Sequence, residues 1–189
     1  STLADGKYSV KDAYDAMELG MNRYLESQWG DIDPAVADVE QAKVQIRGLK
    51  ELTDLLPTQT TRTEEQLEFQ QFSTPPALAY AANWAANLNA ADIYLEPSAG
   101  VGGLAVFGKL AGVQGIVVNE LSPRRGQLLQ ALGFARVFRE NAEQLHNILP
   151  ATIRPTVVVM NPPFTATAGR IPGQRNSRNA TTHIEQCLK

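Results

Sequence analysis

The sequence predicts a doubly wound α/β fold, a mostly parallel sheet with helices on both faces, preceded by a helical appendage. From residue 73 onward, short apolar runs alternate with helix-period segments across short connections, the pattern of parallel strands joined by right-handed crossovers. A glycine-rich turn at 100–103 follows the first of these runs, where open parallel sheets build ligand sites. Residues 1–72 show only three- and four-residue apolar spacing, which is helical. The expected division is therefore a helical segment over 1–72 and an α/β domain over 73–189.

In order, Ser9 and Asp12 form an acidic capping box, and Val10, Tyr14, Met17, Met21 and Tyr24 mark the apolar face of the helix that follows. Asp33 and Pro34 supply an N-cap and N1 proline for a second helix, whose inner face is Val39, Ala42, Ile46, Leu49 and Leu56. A third helix follows Thr63, with Leu67 and Phe72 inward. In the second part, strands are expected over 92–95, 115–119, 135–138 and 155–160, and helices over 102–110, 123–132 and 142–149. Residues 165–182, rich in Gly, Arg, Asn and Thr, read as a loop, and a last helix begins at His183.

The bulk numbers narrow the class. Of 189 residues 43% are hydrophobic and 20% charged, ordinary for a globular chain, and no apolar run approaches the roughly 18 residues of a membrane span. The one cysteine, Cys187, excludes an internal disulfide, and with His146 and His183 it leaves too few soft ligands for a zinc site. An intracellular, cytoplasmic protein without a metal is expected. The net charge of −3 hides an asymmetry: residues 1–72 carry 14 acidic against 7 basic side chains, residues 73–160 carry 5 against 6, and residues 161–189 carry 1 against 4. The acidic front repels a phosphate backbone. The tail attracts one through Arg170, Arg175 and Arg178, unless its loop is merely solvated.

Four segments carry chemistry. The turn Glu96-Pro97-Ser98-Ala99-Gly100-Val101-Gly102-Gly103 lets backbone approach a ligand beside the positive end of the next helix, although a plain tight turn or a dinucleotide site would use the same glycines. Glu120, ending the second strand about twenty residues on, is positioned to accept both hydroxyls of a ribose; a solvated helix-capping acid fits the position equally. Asn141, after the third strand, either contacts an adenine ring or caps the helix starting at Ala142. The fourth strand runs into Asn161-Pro162-Pro163-Phe164, where two prolines forbid helix or mid-sheet strand and make a rigid turn.

Together with Phe72-Ser73-Thr74-Pro75-Pro76-Ala77, these segments resemble, in order and spacing, the S-adenosylmethionine-dependent methyltransferases that act on exocyclic amines, above all the adenine-N6 DNA methyltransferases of the gamma motif order. The resemblance implies a Rossmann-like methyltransferase domain in which Thr74 and Pro75 hold the cofactor's methionine end. It further implies that Glu96, Pro97, Ser98, Ala99, Gly100 and Gly102 form the cofactor loop, that Glu120 binds the ribose and that Asn141 contacts the adenine ring. Asn161, Pro162, Pro163 and Phe164 then make the catalytic motif. An aryl amine shares its lone pair with its ring. If the Asn161 side-chain oxygen and the Pro162 carbonyl each accept one N–H, that pair is aimed at the sulfonium methyl while Phe164 stacks on the extruded base.

The 25 residues after Phe164 are too few for the family's recognition region or for the last strands of its seven-stranded sheet. The chain is accordingly expected to be an incomplete domain, completed by a longer parent polypeptide or by a dimer. The stretch over 165–185 resembles that in methyltransferase-like domains of large phage and plasmid proteins carrying a strawberry-notch helicase. Rival readings remain: the same chemistry on RNA or on a protein glutamine, for which relatives usually carry Tyr at position 164, or a catalytically silent docking module. A nicotinamide dehydrogenase is a weaker option: position 105 is Ala where the strict G-x-G-x-x-G fingerprint has Gly, although some fingerprints accept Ala, and it leaves Asn161-Pro162-Pro163-Phe164 unexplained.

Overall fold

The structure, a computed structural model, describes residues 8–54, 73–162 and 178–188. Leu56, the helix expected after Thr63 with Leu67 and Phe72, and Pro163, Phe164, Arg170 and Arg175 lie outside them, as does the Arg178 side chain. Among the described residues the helices are α1 (Val10–Ser27), α2 (Val39–Asp54), α3 (Pro76–Ala85), α4 (Ala105–Leu110), α5 (Pro123–Ala131), α6 (Leu145–Ile148) and α7 (Arg178–Cys187). The strands are β1 (Ile93–Glu96), β2 (Gly115–Asn119), β3 (Arg136–Phe138) and β4 (Val157–Val158). No helix among the described residues is long and apolar enough to cross a membrane.

The strands form one parallel sheet of order β3-β2-β1-β4. β4 is short, yet Thr156 N donates to Ile93 O at 2.9 Å and Val159 N to Leu95 O at 3.1 Å, so its pairing with β1 runs past both ends. The chain steps outward through α4 to β2 and α5 to β3, then returns through α6 to β4; the right-handed rule for such crossovers assigns α4 and α5 to one face and α6 to the other. The direction of winding reverses between β1 and β4. In such sheets the crevice at the carboxyl ends of those two strands is the ligand site, which is where the Glu96 turn and Asn161 emerge.

The helices before the sheet share its core. α1 packs on α4, and α2 on α3, which itself packs on α4. Leu25, Ala42, Leu49, Tyr80 and Phe107 belong to one buried cluster. Tyr80 meets Phe107 edge to face with ring centroids 5.9 Å apart. Burial pushes the Tyr80 hydroxyl up to about 12, and it donates to Asp33 O at 2.9 Å.

Several expectations are corrected. The capping box of α1 is as read, with Ser9 and Asp12 bonded reciprocally. Its docked face is rotated by one residue, however: Val10 and Tyr24 are half exposed, whereas Lys11, Asp15, Met21, Asn22 and Leu25 are buried. The cause is polar, since Asp15 and Asn22 find partners in the sheet-bearing half.

The second helix starts at Val39, capped by the Asp38 carboxylate on the Glu40 and Gln41 amides. Asp33 and Pro34 form a separate turn, because α3 claims its backbone: Trp84 Nε1 donates to Val36 O at 2.9 Å and Tyr80 to Asp33 O. α3 opens directly from the Thr74-Pro75 motif, a helix the sequence spacing above does not predict. α4 begins at Ala105 rather than 102, because Gly100 and Gly102 sit at φ +56° and +86°, outside the helical region. The 142–149 helix splits into a 3-10 turn over Ala142–Gln144 and α6, and the last helix starts at Arg178, five residues before His183.

Phe107 of α4 is fully buried and packs edge to face on Tyr80 of α3. Phe107→Ala is expected to cost roughly 3–5 kcal/mol of folding stability, read from the urea midpoint at constant slope.

Candidate functional site

Three loops meet at the carboxyl edge of the sheet. The turn after β1 is held by hydrogen bonds from below: the Glu96 carboxylate accepts from Ala105 N at 2.8 Å, and Ala99 N donates to Asn119 O at 2.8 Å. A side chain at Gly102 would lie 3.0 Å from both Leu129 and Phe134, so only glycine lets the turn descend onto α5. Pro97 and Ala99 are buried, while Ser98 and Gly100 are partly exposed.

The loop after β2 supplies the second element. Glu120 is 8% exposed, and its two carboxylate oxygens accept from Gly100 N and from Ser122 N, each at 2.8 Å. Burial raises its carboxyl above the ordinary range against the pull of those amides and of Arg125. Glu96, buried deeper, is raised further by desolvation, against the Ala105 amide and with the Glu120 charge adding to it. These two acids are thus anchored turn-formers, and the solvated capping reading of Glu120 is set aside by its burial.

Asn119, beside Glu120, was not singled out from the sequence. It is 1% exposed; its amide nitrogen donates to Pro97 O and Glu140 O and its oxygen accepts from Glu140 N, each at 2.9 Å. One side chain therefore ties the turns after β1 and β3 to the end of β2. Asn141 follows immediately, exposed, with its oxygen accepting from Glu143 N at 3.0 Å as the cap of the 3-10 turn. The capping bond expected of Asn141 is thus present. His183 was likewise not assigned a role: its Nδ1 lies 3.4 Å from Ser98 Oγ, and burial lowers its pKa while Glu143 opposes.

The third element joins two distant motifs. Asn161, leaving β4, donates through Nδ2 to Thr74 Oγ1 at 3.1 Å. A Cβ on Gly103 would meet the Thr74 carbonyl at 3.8 Å. Thr74 therefore stands between the glycine turn and Asn161. Pro75, exposed, opens α3 next to it, and Pro162 is partly buried after Asn161.

The acids at the edge have a testable signature. Glu96 and Glu120 bind protons more tightly folded than unfolded, so their contribution is full below the ordinary carboxyl value of 4.5 and is lost as pH rises through the raised folded values. Glu96→Gln removes one of those losses. As pH rises above the ordinary carboxyl value of 4.5, the variant is expected to lose less stability than the wild type in urea unfolding.

No family model matches the chain, and no curated protein does. Solved structures do. The "putative RNA methyltransferase PH1948" of Pyrococcus horikoshii superposes with a TM-score of 0.55 at 19% identity, over 77% of this chain and 69% of its own. TrmN of Thermus thermophilus matches at a TM-score of 0.43 and 23% identity, over 56% of this chain and 34% of its own. With its parallel sheet, order and crossovers, the chain has the Rossmann-like methyltransferase fold.

Proposed function

We propose that this chain is an S-adenosylmethionine-dependent methyltransferase that transfers a methyl group to the N6 amine of adenine in DNA. The observation that carries the reading is the position of Thr74, bonded to Asn161 through its hydroxyl and facing Gly103 with its carbonyl. It unites three motifs, separated by up to 87 residues, at the sheet's topological switch point. A fold used only for docking needs no such convergence.

The residues at this edge fit the cofactor. Gly100 and Gly102, with positive φ, keep side chains out of the turn. The Glu120 carboxylate, with further acceptor capacity beyond its two amide bonds, would take the ribose hydroxyls. Thr74 and Pro75 would hold the methionine end. Bound S-adenosylmethionine supplies an electrophilic sulfonium methyl.

The remaining work belongs to Asn161 and Pro162. With the Asn161 amide nitrogen donated to Thr74, the oxygen of the same amide is left to accept an N–H from the target amine. The Pro162 carbonyl accepts the other, and the proline rings keep it from turning away. The amine lone pair is thereby withdrawn from its ring and aimed, with no strong base required, and the proton of the methylated amine leaves to solvent. Phe164 is assigned to stacking on the extruded base, and Arg170, Arg175 and Arg178 to phosphates.

The test is an acceptor panel of DNA, RNA and peptide with labelled cofactor. Label is expected at adenine N6 of DNA; label on RNA or peptide alone would transfer the chemistry to that acceptor. Asn161→Ala is expected to abolish transfer and leave cofactor affinity intact, and Glu120→Ala to weaken the cofactor chiefly. Equal turnover of wild type and Asn161→Ala contradicts the mechanism.

A further inference from the structure

We infer that α1 is a positioning element of the glycine turn: Asn22 and Asp15 hold the turn in its ligand-ready conformation from behind. The inference rests on the turn's being the cofactor site proposed above, but it concerns residues outside every motif.

Asn22 is 5% exposed, and its Nδ2 donates to the carbonyl of Val101 at 2.8 Å, across 79 residues of sequence. Val101 lies between the two glycines of positive φ. Glycines lose the most conformational freedom on ordering, so a turn built on them needs an external partner to stay in one state. Its central carbonyl has one in α1.

Asp15 acts on the same turn through Arg125. Its Oδ1 lies 3.1 Å from Arg125 NH2, and both side chains are 3% exposed. A Cβ on Gly100 would meet Arg125 NH1 at 3.6 Å. Arg125 thus backs the point where the Gly100 amide meets Glu120, and its charge helps keep that carboxylate ionised. An arginine buried this deeply requires a counter-charge. Asp15 supplies it, and Arg124 adds ion pairs to Asp12 and Asp15.

Beside the apolar contacts of Met21 and Leu25, α1 buries Asn22 against the turn and Asp15 against Arg125. Burying such groups is costly unless they are bonded, so their partners fix where the helix sits.

The experiment compares Asn22→Ala with Leu52→Ala, which trims a partly buried side chain of α2 remote from the turn. Both are studied in the full chain below their melting temperatures. Asn22→Ala is expected to weaken S-adenosylmethionine binding about tenfold by calorimetry, the effect of one buried hydrogen bond. The KM for the cofactor rises in step while kcat is unchanged, and the amides of Ala99 to Gly103 exchange faster in the absence of cofactor. Leu52→Ala lowers the melting temperature and moves none of these. Unchanged turn exchange and affinity in Asn22→Ala, or the same changes in Leu52→Ala, overturn the inference. If wild type binds no cofactor but turn exchange still responds to Asn22→Ala alone, the cofactor reading fails and the positioning role of α1 stands.

Discussion

The site depends on the hydrogen bond between the Gly100 amide and the Glu120 carboxylate. It ties the turn after β1 to the loop after β2. A carboxylate this buried is costly unless it is bonded, and its two oxygens satisfy one backbone donor from each loop. The cost of burial and the order of the edge are therefore the same fact: loosening either loop leaves an unsatisfied acid. Asn119 repeats the device one residue earlier, clasping Pro97 and Glu140. The adjacent pair ties the loops after β1, β2 and β3 into one surface.

Around that surface the parallel sheet does the positioning. Because β4 returns to the far side of β1, Asn161 emerges across the crevice from the turn, and Thr74 closes the gap. A rigid Asn-Pro turn is useful only if its acceptors face something fixed, and the Thr74 bond makes the Asn161 amide such a fixed group. The methyltransferase fold and the proposed chemistry thus meet at one threonine.

The charge asymmetry has an internal explanation. Asp12, Asp15 and Glu26 of α1 pair with Arg124, Arg125 and Lys109 of the sheet-bearing half. Part of the acidic front is spent on docking to cations of the same chain rather than on repelling a nucleic acid. The polar seam also orients α1, since hydrogen bonds and ion pairs tolerate less sliding than an apolar stripe does.

Much of the fold was legible because its signals are local. β2 occurs where its apolar run lies, the capping box of α1 forms between residues three apart, and alternation from residue 92 prescribes a parallel sheet. The turn at Glu96 to Gly103, Glu120 and the rigid turn at Asn161 could be singled out from residue type and position, whereas Thr74 was marked only through the motif resemblance. What the sequence could not decide was set by partners far along the chain. The rotation of α1 follows from Arg125 and the Val101 carbonyl, the displaced start of α2 from Tyr80 and Trp84, and the roles of Asn22, Arg125 and Asn119 from bonds made only after folding. A polar side chain announces that it needs a partner, but the identity of that partner, and hence its function, is a property of tertiary proximity.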